Sequence, residues 1–263
     1  MKTKNPARRK QHGFSLLEML LVVAIMGIIS GGILSQMNGA QQRGYSEQVK
    51  LDNFQEARDF VDQFFRDINQ IAYPNSRLVD TASLSWAPPL TPQTLYPWAS
   101  MYLFDNRLAI GFVKIDANSV QFEGDMVGNG VVQSVIYQIN GSGACTLCLQ
   151  RSEVDKASAD PLLGQGTNWG TEVNDVITNP IFSYFKADGT AVPNSSLPID
   201  ISTSLGAGAQ TLASIKTIKI NLTIRNNSVI DPKTSQPIET NLEGEVSINN
   251  CSMATTGKPQ SCQ

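Results

Sequence analysis

The sequence predicts an α+β protein, with one long N-terminal helix followed by an antiparallel β-rich globular head. Three observations carry this expectation. Residues 14–34 form an apolar run directly after a basic stretch. From Phe54 to Ile71, apolar side chains recur at three- and four-residue steps, the period of a helix face. Further on the dominant pattern is strict alternation. It is clearest where Ile218, Ile220, Leu222 and Ile224 interleave with Thr217, Lys219, Asn221, Thr223 and Arg225, as in a half-buried antiparallel strand.

Residues 1–13 read as a basic leader carrying Lys2, Lys4, Arg8, Arg9 and Lys10 and no acid. Residues 14–72 read as one helix, with residues 14–34 as its transmembrane part. Such a helix has roughly 58 residues and extends about 87 Å at about 1.5 Å per residue. In its second half Phe54, Ala57, Phe60, Val61, Phe64, Phe65, Ile68 and Ile71 form the apolar face. Asp52, Glu56, Arg58, Asp59, Asp62, Arg66 and Asp67 are expected on the solvated face. Pro74 ends the helix, because proline lacks the donor and clashes with the preceding turn. Gly27, Gly31, Gly32, Gly39 and Gly44 either weaken the helix locally, by about 1 kcal/mol each, or permit close helix packing in a membrane.

Residues 73–100, rich in Pro, Ser and Thr, read as an irregular connector. Its Trp86, Tyr96 and Trp98 either pin it to the core or form an exposed patch. Residues 101–263 read as the head. Strands are expected at 101–104, 108–115, 119–123, 131–139, 146–151, 181–186, 215–225 and 244–249, separated by turns such as Asn140-Gly141 and Asp188-Gly189. Residues 152–178 and 226–240 are polar and expected to be loops.

Composition excludes several classes of function. The chain has 263 residues and a net charge of −3, and without the leader 15 basic residues face 23 acidic ones, a net charge of −8. No run of Lys or Arg survives beyond the leader, so nucleic acid is not expected as a partner. The basic N-terminus predicts a cytoplasmic start and an exported remainder. His12 is the only histidine and lies in the leader. A cleaved chain has none, which removes Ser-His-Asp and Cys-His catalysis and histidine-dependent metal sites. No enzyme activity and no cofactor is expected.

Cys145, Cys148, Cys251 and Cys262 are expected to oxidise outside the cytoplasm. Three pairings are possible. Sequence proximity favours Cys145–Cys148 and Cys251–Cys262. The segment from Glu123 to Gly130 and Asp188-Gly189 are acidic and Gly-rich, but neither has EF-hand ligand spacing, and turns use the same residues. No metal site is assigned.

The apolar run contains one carboxylate, Glu18, four residues beyond Phe14. A charge in the bilayer costs about 2.5–3.5 kcal/mol even on the lenient insertion scale, so a compensating cation is needed. A cut before Phe14 would supply one as a new amino group. Gly13, Phe14, Ser15, Leu16, Leu17 and Glu18, preceded by the basic leader and followed by an unbroken apolar helix, resemble the type IV prepilin signature. That resemblance implies cleavage by prepilin peptidase between Gly13 and Phe14 and N-methylation of Phe14. It also implies that Glu18 neutralises the Phe14 ammonium, usually across a subunit boundary, and so sets assembly register.

The order of long helix, Pro-rich connector and β-rich head resembles the PilW-type minor pilins and the J-type pseudopilins of type II secretion. The stretch VVQSVIYQINGSGACTLCLQRS is similar to their pattern of strand, aromatic residue, turn and Leu-x-Arg. The chain departs from many major pilins in lacking a proline about twenty residues into the mature helix, a departure that suits a minor subunit. The resemblance implies a minor type IV pilin that joins other minor pilins in a priming or tip complex and initiates assembly. Its partners would be prepilin peptidase, other minor pilins, the major pilin, an inner-membrane assembly platform and, before assembly, lipid. The subunit would cross the inner membrane once, with the head periplasmic. The alternatives are a pseudopilin of a type II secretion system and a pilus tip adhesin.

Overall fold

The computed structural model describes residues 15–74, 104–140, 147–163, 165–177, 180–203 and 207–248. Helix α1 runs from Leu16 to Asn69, about 81 Å at about 1.5 Å per residue. Ser15 caps it in extended conformation, its side-chain oxygen accepting the Leu17 N–H, which satisfies one of the orphan donors of a helix start. At the other end Gln70 donates to the Asp67 and Ile68 carbonyls. Ala72 then turns at φ 62° and donates to the Glu123 carbonyl at 2.8 Å. The chain thereby leaves the helix onto the sheet before Pro74.

Ten strands follow among the described residues: β1 Phe112–Ile115, β2 Ser119–Gly124, β3 Gln133–Asn140, β4 Cys148–Asp155, β5 Trp169–Val173, β6 Val176–Ile177, β7 Phe182–Lys186, β8 Ile199–Asp200, β9 Ile215–Ile230 and β10 Pro237–Ser247. A short helix, α2, spans Ala207–Ser214. One sheet has the order β5-β4-β3-β2-β1-β8, and the other has β10-β9-β6 with β7 also paired to β9. Every pairing is antiparallel.

The upper half of α1 packs against both sheets, so a single core joins the three layers. Phe64 stacks on Phe182 of β7 at 5.4 Å between centroids and meets Tyr137 of β3 edge-on at 5.2 Å. Phe60 also meets Tyr137, at 5.7 Å. The second sheet comes close because β10 carries Gly244 under the helix. A Cβ there would lie 2.9 Å from Phe65 and 3.1 Å from Val61, so a larger residue would push α1 off the sheet. Tyr184 of β7 closes the sandwich, donating from its buried hydroxyl to the Asp116 and Ser119 carbonyls of the β1–β2 turn.

The expected fold class is the observed one. Ala57, Phe60, Val61, Phe64, Ile68 and Ile71 are buried as the helical period predicts, whereas Phe54 stays exposed. Asp67 overturns its expectation, being buried rather than solvated. The expected loops also need correction. Residues 152–178 contain the end of β4, all of β5 and all of β6, and residues 226–240 contain the end of β9 and the start of β10. In the hairpin, Glu239, Asn241, Glu243 and Glu245 face solvent, and this polar outer face hides the inward alternation of Ile238, Leu242 and Val246. The first expected strand falls mostly outside the described residues. The second starts at Phe112, not at residue 108, because Gly111 turns the chain at φ 88°. No element was expected at α2.

Candidate functional site: the apolar helix and its seat on the head

The first half of α1 presents apolar side chains to its surroundings on every side. Leu16, Leu17, Met19, Leu20, Leu21, Val22, Val23 and their successors to Leu34 are all exposed. Among the described residues this is the one helix long and apolar enough to cross a membrane, and none of its apolar window is buried. A surface of this kind is far larger than a soluble monomer leaves uncovered. Glu18 lies in its first turn, with its own N–H donated to the Ser15 carbonyl at 2.9 Å. The side chain is exposed and stands one turn from the start of the helix, where the positive end of the helix dipole favours an anion. Gly13 and Phe14 lie outside the described residues.

The second half of α1 is held to the head by a buried polar junction as well as by the core. Asp67 accepts from the Tyr137 hydroxyl at 2.7 Å and from Arg151 of β4 at 2.8 Å. Arg151 also pairs with Glu153, and its guanidinium sits 5.8 Å from the Tyr137 ring centroid. Burial and the Asp67 carboxylate push the Tyr137 phenol well above its usual value of 10, so it remains a donor. The junction makes α1 and the first sheet one mechanical unit.

A second buried pair fixes the chain just after the connector. Lys156 and Glu123 meet at 2.7 Å with both side chains wholly buried. Lys156 also donates to the Leu108 carbonyl, and Glu123 accepts from the Ile110 N–H. Burial pushes the Glu123 carboxyl up, against the opposing pull of Lys156. The acidic segment that begins at Glu123 is thus structural. Asp125 accepts backbone N–H groups from Gly128, Asn129 and Gly130, closing a turn whose two glycines adopt φ 74° and 83°. No group of three His, Cys, Asp or Glu side chains suited to a metal occurs among the described residues.

Cys148 is buried at the start of β4 and disulfide-bonded. Cys145, Cys251 and Cys262 lie outside the described residues, as do Trp86, Tyr96 and Trp98. The apolar residues that seat the helix are legible in the sequence, but the junction of Asp67, Tyr137 and Arg151 is not, although one signal for it is present. Phe60, Phe64, Asp67 and Ile71 share a helical phase, so Asp67 sits on the apolar stripe, and Arg151 is the arginine of the Leu-x-Arg pattern.

Comparison with known proteins adds one match. Residues 8–34 match the family described as the prokaryotic N-terminal methylation motif. No curated protein and no solved structure matches the chain. The match and the exposed apolar helix fit membrane anchoring. The chain carries the type IV prepilin signature over residues 8–34, a match that supports a type IV pilin-like or pseudopilin-like protein.

Proposed function

We propose that this chain is a minor type IV pilin, cut between Gly13 and Phe14 and N-methylated on Phe14. It joins other minor pilins in a priming or tip complex from which the major subunit polymerises. Its role is assembly rather than catalysis. The observation that carries the reading is a lone exposed carboxylate, Glu18, in the first turn of an exposed apolar helix. A methylated ammonium at Phe14 is the cation this carboxylate needs. In hydrocarbon, removing one member of a charge pair strands the other at a cost of about 3–5 kcal/mol. The pair therefore sets the depth at which a subunit seats. Before assembly the subunit crosses the inner membrane, with its head in the periplasm. There the cysteines pair as Cys145–Cys148 and Cys251–Cys262.

Glu18→Leu tests the assignment. The variant is expected to insert and to be cleaved normally, as read by subunit size in membrane fractions, yet to disappear from sheared filaments. Normal incorporation of the variant would overturn the role of Glu18. The second reading, a J-like pseudopilin, rests on the same helix and head. Deletion separates the two, with loss of pili supporting the pilin and loss of exported enzymes the pseudopilin.

A further inference from the structure

The face of α1 that seats on the head changes character along its length. Ser46, Lys50, Asn53, Ala57, Phe60, Phe64, Ile68 and Ile71 follow one another at three- and four-residue steps and share one face. From Ala57 onward this seam is apolar and buried. Below Ala57 it is polar: Ser46 and Asn53 are buried, and Lys50 lies between them. Asn53 Nδ2 is buried with no acceptor among the described residues. An unpaired buried donor gains hydrogen bonds when its surroundings open to water. The apolar seam gains nothing comparable, so only the lower turns can open cheaply.

The end of the β9–β10 hairpin sits at this polar stretch. Up to Arg225, β9 has neighbours on both sides, with Val176 paired to Ile224 and Ile177 to Thr223. The pairing then jumps, because Ile238 faces Asn226 while Pro237 faces Ile230. Asn227, Ser228 and Val229 are therefore extra on the β9 side, and a bulge of this kind bends a hairpin. The tip itself is firmly built. Asp231 donates to the Gln236 carbonyl at 2.9 Å, its carbonyl accepts from Ser235 at 2.8 Å, and its carboxylate accepts the Lys233 N–H at 2.8 Å. The other carboxylate oxygen of Asp231 meets Lys50 Nζ at 2.8 Å. A cleft of about 540 Å³ beside the tip is bordered by Lys50 of α1 and by the hairpin residues Arg225, Asp231, Gln236 and Glu239 among others. A built tip, a bend behind it, a cleft beside it and an ion pair to the helix are the parts of a latch.

We propose that residues 226–237 form a strap that opens and closes over the Ser46–Asn53 turns of α1, with Lys50–Asp231 as its latch. Opening lets the lower helix change direction relative to the head while the seam from Ala57 to Ile71 stays closed. The two members are tuned to each other. The hydrogen bond to Asp231 raises the Lys50 amine above its usual value, and the same bond lowers the Asp231 carboxyl. The strap does not depend on whether the subunit serves a pilus or a secretion machine.

Hydrogen exchange of the full chain in detergent micelles tests the proposal, comparing the parent with Lys50→Ala and Asp231→Asn. In both variants, amides of residues 228–238 and 44–53 are expected to exchange about tenfold faster, the response of a local opening equilibrium shifted by its latch. Residues 57–68 and β3 keep the parent rate. Unchanged exchange in the strap in both variants would overturn the latch. So would acceleration of residues 57–68 by the same factor, which is loosening of the whole head.

Discussion

The two halves of α1 belong to one continuous helix and obey opposite rules. From Ala57 to Ile71 one face is buried, successive turns carry large side chains into the core, and the polar Asp67 on that face is matched by Tyr137 and Arg151. From Leu16 to Leu34 the helix is, Glu18 apart, apolar around its circumference, and none of its apolar window is buried among the described residues. The upper half is stabilised by folding. The lower half waits for a second phase, whether lipid or neighbouring helices. The stretch between them, Ser46 to Asn53, is polar and held by an ion pair. A helix built this way separates head stability from anchor chemistry.

The sharpest way to break the contrast is a large-to-small change in each half. Phe64→Ala removes a ring packed against Phe60, Tyr137 and Phe182 and is expected to cost the head about 3–5 kcal/mol. Leu20→Ala in the exposed half should leave the thermal midpoint of the head where it was. A midpoint that moves equally in both would deny the separation.

The next largest effect belongs to the polar junction. Arg151→Ala leaves Asp67 buried without its cation and is expected to destabilise by about 3 kcal/mol in denaturant unfolding. Replacing both partners, as Asp67→Asn/Arg151→Met, should recover much of the loss, since it removes the stranded charge while the amide oxygen still accepts from the Tyr137 hydroxyl. If the double variant is as unstable as the single, packing around Arg151 and not its charge holds the helix.

The smallest effect concerns the strap and is a matter of pH. The Asp231 carboxyl is held below its usual 3.8, mainly by the hydrogen bond from Lys50 and then by the Lys233 N–H. A depressed acid contributes stability that is present above its unfolded value and lost as pH falls through its folded value. The Lys50 amine, raised above its usual 10.5 by the hydrogen bond to Asp231 and further by Glu47 at 3.5 Å on its own helix, contributes below that value and fails only in strong base. The latch therefore spans neutral pH and opens in acid. As pH falls below the ordinary aspartate value of 3.8, protection of residues 228–238, corrected for intrinsic exchange, should be lost before that of residues 57–68. Simultaneous loss in both segments would show that the strap has no equilibrium of its own.

Much of this was legible before any coordinates. The helical phase from Ala57 to Ile71 identified the buried face because apolar residues occupy nearly all of it, and β9 was visible because Ile218 to Ile224 alternate without interruption. Asp67 reads as solvated by residue type, whereas its helical phase places it on the buried stripe. Residues 226–240 read as a loop because they are polar and Ile238 is their one buried apolar residue, although β9 ends and β10 begins within them. The Lys156–Glu123 pair left no local trace, because its partners meet only through the register of the first sheet.

What the sequence determined alone was the chemistry of the first thirty-four residues. A basic leader, a glycine, an apolar run and one glutamate declare themselves locally, since transfer into a membrane is decided residue by residue within a single helix. What only the tertiary structure decided is how the helix is seated. Which polar residues are buried as a junction, which hairpin bends back to Lys50, and where the seam turns from apolar to polar all depend on pairs distant in sequence. Such pairs acquire their energies only when folding removes them from water.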